Sequence, residues 1–444
     1  MKKITTLMLS LLVFCACSKD FLEEKSNQKL LVPNTLEDFQ LLLDNNGIMN
    51  RTPGLGQIAS DDFYITAAGF TGLDELNRLA CTWQLHNTNA LVSSDWKIPY
   101  EQIFYSNIVL DGLATLGDNS EAASQIRGQA LFFRAYALFG LLQEFAPIYA
   151  EENRTKDAIP IPLQSDITAV RPVYKLEDAY GQVINDLLEA EKKLPRSQDI
   201  KTRPSALAAL SMLGRVYLVM GDYAQAEIYL GKANAIYSKL IDYNSLSATS
   251  KRPFPTDYPS GTGNEEWIFY SPLINYLFLS YSNTEIRVNR EFIDSYIPND
   301  LRKALYYQDN GNNGYSFKGS YSGSKLTTMF AGLSTDENYL NYAEVLLRNG
   351  KRKEAVGVMN RLLKTRFKTG TYVDIEADDA AFTLDYLLSE RRKSLIGKGL
   401  RWIDMRRLNN DKQYFINARK EINGEIYELK LNDERLQFQL PYNE

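Results

Sequence analysis

Cysteine and histidine, the side chains that most often build metal and catalytic sites, are nearly absent from this sequence. Its 444 residues include three cysteines and one histidine, His86. Cys15 and Cys17 lie near the amino terminus, which leaves Cys81 alone in the body of the chain and excludes an intrachain disulfide framework there. One histidine excludes most zinc sites, and it permits a Ser-His-Asp or Cys-His arrangement only if His86 serves alone. Because His86 stands in the polar stretch HNTNA, we interpret it as a loop residue, and we predict neither a metal site nor a cofactor.

An excess of charge of one sign is absent as well. The chain has 50 basic and 55 acidic side chains, which gives a formal net charge of −5 at pH 7. A sequence with this balance of charges gives no indication of the basic surface that nucleic-acid binding requires, so we expect no nucleic-acid partner. Tyrosine, in contrast, occurs 28 times. We expect most tyrosines to line helix contacts and the remainder to suit exposed binding surfaces, because the ring is flat and carries a polar tip.

The amino terminus has the pattern of a bacterial lipoprotein signal. Lys2-Lys3 precede an apolar run over residues 4–14, which is too short to span a bilayer, and Ala16 precedes Cys17. We predict that residues 1–16 are a signal peptide, that Cys17 is lipidated, that residues 17–28 are a tether and that residues 29–444 form one domain. Several acyl chains would anchor the protein stably. The alternative is an ordinary secretory signal that is cleaved near Ala16.

Residues 207–238 have the spacing of a tetratricopeptide repeat, in which two antiparallel helices pack closely. Gly214 and Ala226 are the small residues at the expected close contact, and Gly221-Asp222 forms the turn between the helices. A second copy follows with the turn at Gly350-Lys351. One unit cannot bury its own apolar face, so a stack of such units is predicted. The alternative is two unrelated helical hairpins.

Helical patterns continue outside the two repeats. We predict further helices over 35–45, 96–116, 125–145, 173–194 and 380–396, with Thr35 as the cap of the first. Near the carboxyl terminus, Asn423-Gly424 separates two alternating runs and predicts a β-hairpin. The fold class is therefore mainly α, a tetratricopeptide-type scaffold of helical hairpins with an irregular insertion and a small C-terminal hairpin.

Two stretches, about 59–95 and 244–335, are irregular and rich in aromatic residues, glycine or proline. Long irregular segments in a compact chain are usually functional or disordered, and the aromatic content favours order. Within the second stretch, the sequence DNGNNG at 309–314 faintly resembles a calcium loop, but Ser320 stands where the glutamate ligand belongs. We interpret DNGNNG as a turn.

Motifs spread over nearly the whole chain resemble the SusD/RagB family of surface nutrient-binding lipoproteins. The most specific of these motifs runs from Glu390-Arg391-Arg392-Lys393 through Gly399 and Arg401-Trp402 to Asp404 and Arg407. The remaining matches are Cys17-Ser18-Lys19-Asp20, Trp96, Tyr100, Asn107, Arg127-Gly128-Gln129-Ala130, Phe133-Arg134-Ala135, Arg203, Ala208-Ala209, Tyr217, Asn264-Glu265, Ile268, Tyr342-Ala343-Glu344 and Asn360. The alternating charges after Glu390 favour intramolecular ion pairs, so we interpret these motif residues as structural.

The resemblance implies a SusD-like helical scaffold of four repeat pairs with an irregular ligand-binding region, and it implies no catalysis. It also implies a lipid-anchored protein on the outer membrane that faces the cell exterior and sits as a lid over a SusC-type TonB-dependent transporter. The expected ligand is a glycan or oligosaccharide. Alternatives are a peptide ligand, as for RagB-like uptake lipoproteins, a pure repeat scaffold, or a glycoside hydrolase. A hydrolase would need a carboxylate pair, for which Asp61-Asp62, Glu265-Glu266 and Asp378-Asp379 are available.

Ligand binding is predicted in the irregular stretches, because stacking occupies the apolar faces of the repeat helices. Flat aromatic rings pack against the C–H faces of a sugar, and amide groups bond its hydroxyl edges. The candidate ligand-binding residues are Tyr64, Trp83, Asn87, Trp267, Tyr276 and Tyr281.

Overall fold

A computed structural model describes residues 33–85, 93–254, 256–258, 260, 262–279, 283–322 and 328–441. Helices dominate this part of the chain. They are α1 (Leu36–Leu43), α2 (Asn46–Met49), α3 (Leu55–Ala59), α4 (Ala67–Thr71), α5 (Glu75–Cys81), α6 (Ser94–Leu116), α7 (Glu121–Phe145), α8 (Leu176–Lys193), α9 (Ala206–Met220), α10 (Tyr223–Ile236), α11 (Arg290–Asp294), α12 (Leu301–Tyr306), α13 (Thr335–Arg348), α14 (Arg352–Lys364), α15 (Leu384–Leu395) and α16 (Arg401–Arg407). None of the helices that the structure describes is long and apolar enough to cross a membrane.

The first predicted repeat is the hairpin of α9 and α10. Gly221 ends α9 in the left-handed conformation at φ +78°, and the Asp222 side chain then accepts a hydrogen bond from the Gln225 N–H to begin α10. A Cβ atom on Gly214 would lie 2.5 Å from Cγ of Leu230, so the absence of a side chain permits this close approach. Ala226 is fully buried beside Leu230. The predicted close helix contact is confirmed.

The second repeat is the hairpin of α13 and α14, with Gly350 at φ +77° in the turn. Helix α10 packs on α13, which joins the two repeats, and the stack continues through α9, α8, α7 and α6. Helix α7 is buried on nearly all sides, and its Phe132 packs edge-on against Phe269 with ring centroids 4.9 Å apart. The mainly helical, tetratricopeptide-like fold class predicted from the sequence is confirmed.

Helix boundaries differ from the sequence predictions in a few places. The helix predicted over 173–194 begins at Leu176, because Val173–Lys175 pairs as a strand with Asp157–Pro160. The helix predicted over 380–396 begins at Leu384, where the Thr383 hydroxyl accepts the N–H of Tyr386. Tertiary pairing and capping decide such ends, and the apolar spacing alone does not show them.

Ten short strands form small antiparallel sheets at the edges of the helical stack. They are β1 (Phe63–Ile65), β2 (Asp157–Pro160), β3 (Val173–Lys175), β4 (Trp267–Phe269), β5 (Ile286–Val288), β6 (Tyr307–Asp309), β7 (Tyr315–Phe317), β8 (Leu333–Ser334), β9 (Arg419–Ile422) and β10 (Glu425–Glu428) among the described residues. Strands β9 and β10 form the predicted hairpin, with Asn423 and Gly424 at φ +54° and +83°. The DNGNNG stretch forms the turn between β6 and β7.

The charged motif of α15 and α16 fastens separate parts of the chain together. Arg391 donates to Asp404 at 2.8 Å, Arg407 to Glu344 at 2.6 Å, and Arg302 of α12 to Glu390 at 2.5 Å. All of these side chains are buried. Arg406 differs from the expected ion pairs, because its guanidinium donates to the main-chain carbonyls of Leu142, Ala146 and Leu436. The structural interpretation of the motif is confirmed.

Candidate ligand-binding cleft

The two irregular stretches of the sequence meet in one four-stranded sheet of order β1-β5-β7-β6. Strand β1 from the first stretch pairs with β5 from the second, and Tyr64 stands opposite Arg287. Phe63 and Ile65 point into the core, whereas Tyr64 between them is 40% exposed. The sheet therefore presents an exposed tyrosine beside an arginine.

A cleft of about 270 Å³ opens beside this sheet, close to the lower end of the range for small-ligand sites. Its apolar part is formed by aromatic and aliphatic side chains, and its rim carries amides, hydroxyls and one guanidinium. The lining residues are Phe63, Phe278, Asn283, Thr284, Ile286, Arg287, Asn310, Asn313, Ser316, Phe317 and Met329. This combination of an apolar floor with a rim of amides, hydroxyls and one guanidinium suits a polar ligand that also offers apolar faces.

Several polar groups at the cleft and on the adjoining face of the sheet remain available for a ligand. The Asn313 amide and the Tyr64 hydroxyl form no hydrogen bond with any residue that the structure describes, and the Asn310 amide donates once, to Ser316 Oγ at 3.2 Å. Gly314 has φ +73°, and a Cβ atom there would lie 3.4 Å from the Tyr64 hydroxyl. The 311–314 turn thus packs closely against Tyr64 and brings the asparagines to its side.

The position of β1 depends on the charged motif. Asp61, three residues before Tyr64, accepts two hydrogen bonds from Arg401 at 2.6 and 2.9 Å, and Arg392 donates to its main-chain carbonyl at 2.8 Å. Burial alone would raise the pKa of Asp61, but the charges of Arg401 and Arg392 lower that pKa well below its usual range. Asp61 therefore remains ionised and holds the start of β1 against α15 and α16.

The candidate residues from the sequence lie in different environments. Tyr64 is exposed and lines a second cleft of about 330 Å³ that adjoins the first, whereas Trp83 and Trp267 are each 1% exposed and Tyr276 is 8% exposed. Trp83 Nε1 donates to the Ala59 carbonyl at 2.6 Å, and Trp267 Nε1 donates to the Tyr321 carbonyl at 3.1 Å.

The Tyr276 hydroxyl donates to Asp95 at 2.9 Å. Neither the Trp83 nor the Trp267 indole presents an open ring face in this conformation, so the structure favours packing roles for these two residues. Ligand contact by Trp83, Trp267 and Tyr276 stays a prediction. Cys17, Asn87 and Tyr281, like His86, lie outside the described residues.

The sequence reasoning missed the amide-bearing residues of the rim. Asn310 and Asn313 belong to the DNGNNG stretch, which the sequence presents as a turn, and Asn283 lies before β5. A repeated asparagine in a turn between two strands is the signal that could have marked them, since such amides remain exposed at the end of a hairpin.

The carboxylate pairs considered for hydrolysis are engaged elsewhere. Asp61 is bonded to Arg401, buried Glu266 is bonded to Arg366 at 2.6 Å, and Asp378-Asp379 lie on an exposed turn. None of these residues lines the cleft. Within the described ranges, no group of three or more histidine, cysteine, aspartate or glutamate residues is placed to hold a metal ion.

Comparisons with known families match two parts of the chain. Residues 20–218 match the family SusD-like_3, described as "Starch-binding associating with outer membrane", and residues 335–442 match SusD_RagB, described as "SusD family". Residues 219–334, which supply most of the cleft, lie between the two matched ranges. A curated relative, SusD-like protein P2 of Formosa agariphila, is 29% identical over 31% of this chain. The chain spans about a quarter of that relative's length, since the match covers 26% of it.

Solved structures have the same fold over nearly the whole chain. A SusD superfamily protein from Bacteroides thetaiotaomicron has a TM-score of 0.70 and 20% identity, with 90% of this chain and 95% of that chain covered. A SusD-like carbohydrate binding protein from Bacteroides vulgatus has a TM-score of 0.69 and 18% identity, with 92% and 95% covered. At these identities the likeness concerns the fold.

Proposed function

This chain belongs to the SusD/RagB family of non-enzymatic binding proteins associated with the outer membrane, and we propose that it binds an oligosaccharide at the cell surface. In this proposal Cys17 carries the lipid anchor, the protein faces the cell exterior, and the bound sugar passes to a SusC-type TonB-dependent transporter. The chain itself performs no catalysis.

The observation that supports this function is the cleft together with the exposed Tyr64 ring on the same sheet. A sugar ring offers apolar C–H faces and hydroxyl edges. The exposed Tyr64 ring is suited to such a face, and the unbonded Asn313 amide is suited to a hydroxyl. The solved relative described as carbohydrate binding supports a sugar over a peptide. Peptide binding, the RagB-like alternative, would use the same amides to bond a peptide backbone.

A glycan array followed by calorimetry tests the ligand class. The purified protein should bind at least one oligosaccharide, and the Tyr64→Ala/Asn313→Ala variant should bind it roughly 30-fold more weakly. This loss corresponds to about 2 kcal/mol for one aromatic contact and one hydrogen bond. Tyr258→Ala is the matched control, because Tyr258 is also 40% exposed but lines neither this cleft nor the adjoining one that contains Tyr64. Binding of peptides with no glycan binding would support the alternative, and unchanged affinity in the double variant would place the site elsewhere.

Lipidation is tested by fractionation of cells that express the full chain. Cys17→Ala should move the protein from the membrane fraction to the soluble fraction, because the acyl chains supply the anchor. Cys15→Ala removes the neighbouring cysteine and should leave the protein in the membrane. Retention of the Cys17→Ala protein in the membrane would contradict the proposed anchor.

The transporter partner is tested by purification of the tagged chain from native outer membranes in mild detergent. A TonB-dependent transporter should co-purify in a defined ratio and should also appear in crosslinked membranes. The Tyr64→Ala/Asn313→Ala variant should retain the transporter, because we propose that the sugar site and the transporter contact are different surfaces. Absence of such a transporter from both preparations would exclude the delivery step.

A further inference from the structure

Arg287 is the one cation among the residues that line the cleft, and it has no carboxylate partner within the described part of the chain. Its guanidinium instead donates to three main-chain carbonyls. Nε donates to Asn313 at 2.5 Å, and Nη1 donates to Thr284 and, at 3.1 Å, to Ile286. Nη2 makes no hydrogen bond to a described residue. A guanidinium donor thus remains unused at the cleft.

The acidic side chains near Arg287 in the sheet are engaged with other groups. Glu285 accepts a hydrogen bond from the Thr66 hydroxyl, and Asp309 accepts the N–H of Gly311 at 2.8 Å. Neither carboxylate lines the cleft or forms an ion pair with Arg287 among the described residues. Among the described residues, the hydrogen-bond partners of the Arg287 guanidinium are therefore neutral main-chain carbonyls.

The neighbouring Arg290 has a different environment. It lies at the start of α11 and pairs with Asp294 at 3.6 Å. It lines an adjoining cleft of about 330 Å³ that also contains Tyr64, Asp61, Asp62 and Glu421. Opposite charges are mixed in that second cleft, whereas in the first cleft the positive charge of Arg287 stands alone among amides and hydroxyls.

We propose, on the basis of the function proposed above, that the cleft selects a sugar unit that carries a carboxylate or sulfate group, with Arg287 Nη2 as the donor to its oxyanion. A charged hydrogen bond of this kind is about twice as strong as a neutral one. The carbonyl bonds already hold the guanidinium, so little side-chain freedom is lost when the ligand binds. Gly314 lies between the two side chains, since its Cβ position is 3.4 Å from the Tyr64 hydroxyl and 3.8 Å from Arg287 Cδ. The aromatic ring and the cation are therefore neighbours on one face of the sheet, although Tyr64 lines the adjoining cleft and Arg287 lines this one.

Matched pairs of ligands test this selectivity by calorimetry with the purified full-length chain. One pair is a tetragalacturonate and its methyl ester, in which each carboxylate charge is replaced by a neutral ester of nearly the same shape. The other is a sulfated galactan oligosaccharide and its desulfated form. The wild-type protein should bind the charged member of at least one pair 10-fold or more tightly, and added salt should reduce that ratio. The ligand pair that shows this preference tells whether the protein selects a carboxylate or a sulfate.

Variants of Arg287 then identify the residue responsible. Arg287→Gln should reduce the ratio of affinities for the charged and the neutral ligand to about two or less, without a comparable loss of affinity for the neutral ligand. Arg287→Lys should retain a preference for the charged ligand. Arg290→Gln is the matched control and should keep the wild-type ratio. Equal binding of charged and neutral members by the wild-type protein would overturn the inference.

An equal loss of affinity for the charged and the neutral ligand in the Arg287→Gln variant would also overturn the inference. It would assign Arg287 a purely structural role. Binding of neutral glycans alone would leave the proposed function intact. Failure to bind any glycan would overturn the proposed function as well.

Discussion

Replacement of Arg366 by methionine is expected to lower the free energy of unfolding by about 3–5 kcal/mol, the usual effect of removing one partner of a buried ion pair. Arg366 and Glu266 are both fully buried, with Nη2 and Oε1 2.6 Å apart. Methionine approximates the volume of the side chain but leaves the Glu266 carboxylate without its cation. The large effect comes from this uncompensated charge.

The pair belongs to a buried network that attaches the 244–335 stretch to the helical scaffold. The Tyr321 hydroxyl donates to Glu266 at 2.7 Å, and the Tyr243 and Tyr321 hydroxyls lie 2.6 Å apart. Lys398 donates to Asp336 at 2.6 Å, and its ammonium stands 3.6 Å from the centre of the Tyr321 ring. Loss of Arg366 should therefore loosen the second irregular stretch, which supplies most of the cleft.

Urea unfolding of the purified variants measures this effect. Lys364→Met is the control, because Lys364 lies on the same helix end and pairs with Asp374 at 2.7 Å with both side chains about half exposed. An exposed pair of this kind contributes about 0–1 kcal/mol. A similar change in stability for the two variants would show that burial of the Arg366 pair is not the source of its effect.

Asp95→Asn is expected to change how stability depends on pH. Asp95 and Glu144 are fully buried beneath residues 54–56. Asp95 Oδ2 accepts the N–H groups of Gly54 and Leu55, both at 2.6 Å, and Glu144 accepts that of Gly56 at 2.8 Å. Burial raises the pKa of Asp95 to about 6, and burial together with the Asp95 charge raises the pKa of Glu144 well above its ordinary value.

The sign of the effect follows from proton binding. Above the ordinary carboxyl pKa of about 4, the folded pair holds protons that the unfolded chain has released. The stability that this pair contributes is therefore complete below about pH 4, and it is lost as the pH rises through the raised values. Since asparagine cannot ionise, the Asp95→Asn variant should gain roughly 2–3 kcal/mol relative to the wild type between pH 5 and 8.

Urea unfolding at several pH values measures this relative gain. The comparison with the wild type isolates the pair from other titrating groups. Asp378→Asn, a substitution on an exposed turn, should give a curve parallel to that of the wild type. Parallel curves for Asp95→Asn and the wild type would show that the pair does not couple folding to pH. Glu144→Gln should reproduce the Asp95→Asn result, because it removes the repulsion between the two carboxylates by neutralising Glu144 instead of Asp95.

Features that depend on near neighbours in the chain could be predicted from the sequence. The Thr35 side chain caps α1 as expected, because its hydroxyl and the Asp38 carboxylate are only three residues apart. The Gly221 and Gly350 turns and the Asn423-Gly424 hairpin also follow from local backbone preferences. The charge alternation after Glu390 correctly indicated internal pairing, although it did not show that Arg406 binds carbonyls.

The cleft could be predicted only as far as the two stretches that form it. Of the candidate aromatic residues, Tyr64 is exposed, whereas Trp83 and Trp267 have the same kind of sequence surroundings and are buried. An aromatic residue in an irregular stretch can pack inward or face solvent, and the stretch itself has no periodicity that distinguishes the two. Arg287 and the asparagines come together with the first stretch only through the pairing of β5 with β1 and with β7.

The sequence by itself determined the helical repeats, their turns and the family motifs, because helix spacing and turn chemistry are properties of residues close together in the chain. Tertiary structure alone decided the binding surface. Tyr64 and Arg287 are separated by more than 220 positions, and their meeting depends on the pairing of β1 with β5 and on the Asp61 bonds to Arg401. A one-residue change in that register would turn Tyr64 into the core and Phe63 or Ile65 to solvent. Burial of these two apolar side chains is the physical reason that Tyr64 faces outward.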